Sequence, residues 1–105
     1  MSYKDAYHPR VKADLKKLDK HAVKEIHSTH LDILLENPFI GECLYGDLEG
    51  IFCYHFRENK VDYRIAYTVD DERKIVYIIM IGKRENFYDV LKGDYHKRKS
   101  KWVLI

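Results

Sequence analysis

The chain has 105 residues, 46% hydrophobic and 34% charged, with a formal net charge of +2. That is the size and balance of one small globular domain with a single modest core. No apolar run approaches the length of a membrane span and no signal-peptide core stands near the N-terminus, so a cytoplasmic location is expected. Cys43 and Cys53 form no CxxC pair and are too few for a disulfide framework, which leaves them as reduced, packed thiols.

A short segment from Tyr3 to Tyr7 is compatible with a strand. His8-Pro9 then opens a helix, since proline suits a first helical turn. Val11, Leu15 and Leu18 recur at i, i+4 and i+7, making one apolar stripe with lysines outside it. A break near Asp19 precedes a second helix from Lys20 or His21 to Glu36. Its buried side is predicted to use Val23, Ile26, Ile33 and Leu34, with Leu31 and Leu35 beside them. Asn37-Pro38 ends it, because the residue before a proline is pushed out of helical geometry.

Gly41, Gly46 and Gly50 punctuate a loop. They match neither a dinucleotide-binding nor a P-loop pattern and read as turns. Ile51 to Arg57 alternates, with Phe52, Tyr54 and Phe56 on one face and Cys53, His55 and Arg57 on the other. Turns at residues 58–60 and 70–73 separate this strand from Asp62–Val69, and that one from Lys74–Arg84. The three strands are expected to form an antiparallel meander, the last apolar on both faces. Tyr63, Ile65, Tyr67 and Val69 should pack on the helices, leaving Arg64, Ala66 and Thr68 on the opposite face with His55 and Arg57. Arg84 is placed to reach the same surface. The predicted fold class is α+β: two N-terminal helices packed on a small antiparallel sheet whose other face is open. Residues 1–91 would form this domain and 92–105 a basic tail ending in Trp102, Val103 and Ile105, which either folds back on the core or contacts a partner.

Arginine matches phosphate oxygens with its planar fork, so Arg64 and Arg84 point to an anion. Basic residues also cluster along the N-terminal helical region (Lys12, Lys16, Lys17, Lys20, Lys24) and in the tail (Lys92, Lys97, Arg98, Lys99, Lys101), a pattern that favours polyanion contact. Plainer roles compete: Arg64 paired with Asp62, Arg84 paired with Glu85, Tyr88 as a packing residue. His27 and His30, with His21 before them, do not complete a metal-ligand spacing, and neither a metal nor a cofactor is expected.

Taken together, "HPRVKADLKKL", "NPFIGECLYGDLEG" and "YRIAYTVDDERKIVYIIMIGKRENFY" resemble the RelE/ParE superfamily of type II toxins over roughly Pro9 to Leu91. The resemblance implies a toxin held inactive by a cognate antitoxin, touching DNA only through that antitoxin. RelE-like members are metal-independent endoribonucleases that cut mRNA, commonly on the ribosome; ParE-like members share the fold but inhibit DNA gyrase. A degenerate, non-toxic member that keeps only antitoxin binding is the third possibility. By motif, Arg64 falls at the family's phosphate-binding arginine, Arg84 at the arginine that supports the transition state, and Tyr88 at the proton-transfer position. Where RelE has two lysines on the strand entering the hairpin, this chain has Cys53 and His55, leaving Arg57 or Lys60 to supply the missing charge.

Cleavage without a metal needs a base for the ribose 2′-OH, an acid for the leaving 5′-oxygen and cations around the phosphorane. The residues expected to do this are Arg64 and Arg84 as cations, His55 as base or acid, and Tyr88 as its partner or as a platform for a stacked base. Arg57, Lys60, Lys83, Lys12 and Lys16 would hold the RNA backbone.

Overall fold

The computed structural model describes residues 2–99, with the side chains of residues 2–94. Its centre is a five-stranded mixed sheet in the order β1-β5-β4-β3-β2. The expected meander is there: β3 (Phe52–Glu58), β4 (Val61–Asp70) and β5 (Ile75–Lys83) pair antiparallel in sequence order. Asn59 and Lys60, with φ of 50° and 67°, form the two-residue turn between β3 and β4. Positive φ at both positions is what a type I′ hairpin turn requires.

The expectation of two N-terminal helices on an antiparallel sheet needs correction, because the chain begins with a strand. β1 (Lys4–Tyr7) pairs parallel with β5, Lys4 opposite Ile75 and Tyr7 opposite Ile78. Its residues satisfy the free edge of β5, which an unpaired backbone row demands. On the other edge β2 (Glu42–Cys43) pairs antiparallel with β3.

α1 (Val11–Lys16) buries Val11, and Asp14 on its outer turn accepts the Ile81 amide at 3.2 Å where β1 no longer covers β5. Asp19 caps α2 (Lys20–Glu25), accepting the His21 amide at 3.1 Å, as the predicted break suggests. The second helix is not one regular α-helix. A π turn (Ile26–His30) separates α2 from α3 (Leu31–Glu36), with the Leu31 amide bonded to the Ile26 carbonyl five residues back. The added residue rotates everything after it. Ala22, Ile26, His30, Leu31 and Leu34 are buried, while Ile33, expected inside, is 37% exposed.

The sheet carries an apolar layer on each face. On the helix side Val11, Ala22, Ile26, Leu31 and Leu34 pack on Phe56, Tyr63, Ile65 and Tyr67. The opposite face, expected to be open, is partly covered: Leu48, Ile51, Phe87 and Leu91 pack over Cys53, Ala66, Ile79 and Met80. The cover comes from the loop around residues 46–51 and from α4 (Phe87–Lys99), which continues past the expected domain edge at residue 91. Lys101, Trp102, Val103 and Ile105 of the expected tail lie outside the described residues.

β5 serves both layers through a β-bulge. Ala66 pairs with Met80 but Tyr67 pairs with Ile78, leaving Ile79 unmatched. Val76 and Ile78 therefore face the helices, whereas Ile79 and Met80 face the other way. Strand parity alone does not reveal such an insertion.

Tyr67 ties the Pro38–Gly41 connection to the sheet. Its buried hydroxyl donates to the Pro38 carbonyl at 2.7 Å and accepts the Gly41 amide at 3.1 Å. Gly41 sits against that hydroxyl so closely that a Cβ there would collide with it. Tyr67→Phe should leave both backbone groups unsatisfied and destabilise the protein by about 1–3 kcal/mol, read as a lower urea midpoint at unchanged slope.

Candidate functional site

The bulge at Ile79 moves the even-numbered residues that follow it onto the face of Arg64. Gly82 pairs with Arg64, and the Arg84 amide donates to the Asp62 carbonyl at 2.9 Å, which extends the ladder by one step. On the other side of β4, His55 pairs with Arg64 and Arg57 with Asp62. Two cross-strand rows result: His55–Arg64–Gly82, and beside it Arg57–Asp62–Arg84. They line a hollow of about 340 Å³ bounded by His55, Phe56, Arg57, Asp62, Arg64 and Arg84. The expected convergence of His55, Arg57, Arg64 and Arg84 is therefore present.

Asp62 stands between two arginines. Its carboxylate lies 3.9 Å from Arg57 Nε and 3.8 Å from Arg84 Nη1. Arg84 thus pairs with Asp62, not with Glu85, and Arg57 and Arg84 share the carboxylate that the sequence offered to Arg64. Both arginine side chains are about two-thirds exposed, at 64% and 67%. Pairs this long and this wet contribute less than about 1 kcal/mol each, so both guanidinium groups can be drawn to a stronger anion.

Arg64 has a different neighbour. Its guanidinium carbon lies 4.5 Å above the centroid of the Tyr88 ring, within cation–π range. Tyr88 is delivered by the first turn of α4, whose Phe87 packs edge-on beside it and lies over Gly82. The Tyr88 hydroxyl donates to Glu42 Oε1 at 3.4 Å, and the same oxygen lies 3.4 Å from His55 Nε2. One carboxylate oxygen from the edge strand β2 thus joins the two groups expected to move protons. Nothing local in the sequence marks Glu42; it is one acid in a glycine-punctuated loop.

Electrostatics separates these groups. Burial pushes the Tyr88 hydroxyl up to about 12; Cys53 and Glu42 add to the rise and Arg64 opposes it without reversing it. Tyr88 therefore keeps its proton at neutral pH and can donate it but not take one. Burial likewise pushes the Cys53 thiol up to about 11, against the opposing pull of Tyr88 and Arg64. Cys53 is fully buried under the site and adds no charge to it.

Lys60 and Lys83 stand beside Arg84 around a second hollow with Val61, Asp62, Glu85 and Asn86. They extend the basic surface next to the arginine rows. Lys12 and Lys16 are not brought to it: both lie on α1, in the layer on the opposite face of the sheet. The two histidines considered as a metal pair also part company. His30 is buried, while His27 lines an apolar hollow with Tyr7, His8, Pro9, Val11 and Leu15.

With this geometry in hand, the chain can be set beside known proteins. Residues 6–92 match the ParE-like toxin of type II bacterial toxin-antitoxin system family. A RelE-like toxin protein of Escherichia coli is 30% identical over 86 residues, covering 81% of this chain and 86% of that protein. Among solved structures, a mutant of the E. coli toxin RelE in the free state superposes with a TM-score of 0.69 at 27% identity, over 91% of this chain and 98% of that one. The toxin–antitoxin complex RelBE2 of Mycobacterium tuberculosis gives 0.68 at 26% identity, over 80% and 100%. The intact E. coli RelBE toxin–antitoxin complex gives 0.60 at 28% identity, over 80% and 99%. Among the described residues no helix is long and apolar enough to cross a membrane.

The opposed influences on Tyr88 can be measured. Glu42→Gln should lower the pH at which its phenolate forms and Arg64→Ala should raise it, both followed by NMR of the tyrosine ring carbons during an alkaline titration.

Proposed function

The chain belongs to the RelE/ParE superfamily of type II toxins, and from that premise we propose that it is an endoribonuclease that cleaves mRNA and arrests translation. The observation that carries this reading is the pair of rows His55–Arg64–Gly82 and Arg57–Asp62–Arg84, which puts phosphate-binding groups next to proton-carrying ones. Arg64 and Arg84 bind the scissile phosphate, with Arg57 displaced from Asp62 to help. His55 takes the ribose 2′-OH proton, and the 2′-oxygen attacks phosphorus. The bond to the 5′-oxygen breaks, and Tyr88, still protonated, supplies that oxygen's proton. The products are a 2′,3′-cyclic phosphate and a 5′-hydroxyl. Glu42 orients the imidazole and accepts its hydrogen bond once it is charged. No step needs a metal or a cofactor.

The ribosome is the natural place for such a site, because it holds mRNA extended. Lys60 and Lys83 flank the hollow where that backbone would run. A cognate antitoxin is the proposed protein partner, in keeping with the RelBE complexes to which this fold is similar.

A second reading has its own support. Cys53, buried and neutral at the site floor, adds no cation, so the charge for phosphate rests on arginines and neighbouring lysines. A ParE-like toxin that poisons gyrase by binding alone would need no more. Supercoiling by gyrase in the presence of the protein separates the two.

Under the nuclease reading Arg84→Ala should slow cleavage of ribosome-bound mRNA about 10²–10³-fold and relieve growth arrest, the loss expected for one transition-state donor. His55→Ala should cost about 10²–10⁴-fold, the usual contribution of a general base. Full cleavage by Arg84→Ala would rule the mechanism out, and inhibited supercoiling with intact RNA would install the gyrase reading instead.

A further inference from the structure

On the helix side of the sheet, away from the arginine rows, three ligand-type side chains converge without a role in the mechanism above. His21 and Glu25 are one turn apart on α2, and Glu58 ends β3. One donor atom from each lies within 4.8 Å of the other two. His21 Nε2 stands 3.5 Å from Glu58 Oε1. Two ligands of a tetrahedral zinc ion, each bonded at about 2.0–2.2 Å, stand roughly 3.4 Å apart, so this pair already has a ligand–ligand spacing.

Both carboxylates also have further partners. The Thr29 hydroxyl donates to Glu25 Oε2 at 3.1 Å. Glu58 Oε2 lies 3.3 Å from His30 Nε2, while His30 Nδ1 is 2.8 Å from the Tyr54 hydroxyl. His30 is 92% buried, by its 8% exposure, and stacks on Phe56 with ring centroids 4.0 Å apart. A buried imidazole bonded at both nitrogens cannot swing, so it fixes the carboxylate it faces. Carboxylates oriented by outer partners of this kind are a recurring feature of metal sites.

We propose that His21, Glu25 and Glu58 bind one zinc ion, with His30 and Thr29 as positioning residues and water at the fourth vertex. The imidazole argues against calcium or magnesium, which take oxygen ligands. Two carboxylates and a neutral imidazole present two negative charges, which a divalent ion neutralises. Such an ion clips α2 to the end of β3, beside the Asn59-Lys60 turn. Its role is structural, since Glu58 lies on the face opposite His55 and Arg57.

The test is titration of the untagged, chelator-treated full chain with zinc chloride, followed by calorimetry and by thermal unfolding. One ion per chain and a higher Tm with zinc are expected, with no such response to magnesium. His21→Ala and Glu25→Gln, both surface changes that leave the core intact, should each weaken binding at least tenfold and remove the zinc-dependent rise in Tm. His30→Gln should weaken it about 10–100-fold. Absence of saturable zinc uptake overturns the proposal. So does unchanged affinity in both His21→Ala and Glu25→Gln, which would mark an adventitious ion on groups such as the exposed Cys43.

Discussion

Between Ala66 and Tyr67 of β4 the facing strand carries one residue more than pairing requires, and most of the site follows from it. Ahead of Ile79 the even positions Val76 and Ile78 fill the layer under the helices. Past it, Met80, Gly82 and Arg84 have changed sides. A one-residue change of register moves every later side chain to the opposite face. Without the bulge Arg84 would be aimed at the helix layer, and Ile81, now packed against the helices, would stand in the arginine rows. Asp14 completes the device by accepting the Ile81 amide on the outer edge of β5.

The face so assembled balances its charges with groups that can be displaced. Asp62 holds Arg57 and Arg84 at 3.9 and 3.8 Å in water, a weak grip on two guanidinium groups whose planar forks suit a stronger anion. Glu42, itself 60% exposed, links His55 and Tyr88 through a single oxygen. Under the proposed nuclease function, these carboxylates are the groups that a phosphodiester would displace. Tyr88 differs in kind, since burial first, with Cys53 and Glu42 adding to it, raises its proton affinity, and Arg64 lying across its ring only tempers that. Cys53 beneath is apolar packing, and the cationic work falls to the arginine rows and the lysines beside them.

What the sequence reveals and what it hides divide along one physical line. The α1 stripe, the break at Asp19, the Asn37-Pro38 stop, a turn near residues 58–60 (one residue shorter in the structure) and the meander are local or periodic, and each is legible. The rows His55–Arg64 and Arg57–Asp62 follow from strand parity once the turn length is known. An inserted residue breaks a period without leaving a residue type behind. That is why the π turn, which exposes Ile33, and the bulge, which brings Arg84 across, both escape a periodic reading. The segment of β1 is legible as a possible strand, but its parallel pairing with β5 is not: four residues carry little pattern, and their partner lies at the far end of the chain. Glu42 belongs to a two-residue edge strand, where no pattern can form, so a carboxylate at the centre of the site has no sequence signal.

The Asn59-Lys60 turn connects the two faces of the sheet more directly than any core contact. Glu58, one residue before it, points to the helix side and meets His21 and His30. Asp62, two residues after it, points to the other side and meets Arg57 and Arg84. Both outcomes depend on a loop of two residues and no more, with Glu58 opposite Val61 and Arg57 opposite Asp62. A slip of one residue in the β4 register would turn Asp62 toward the helices and bring Val61 and Tyr63 into the arginine rows. The side chains that tie α2 and the π turn to β3 therefore also help to hold that hairpin in the register on which the opposite face depends. Support for the arginine rows comes through the sheet, from the helix side.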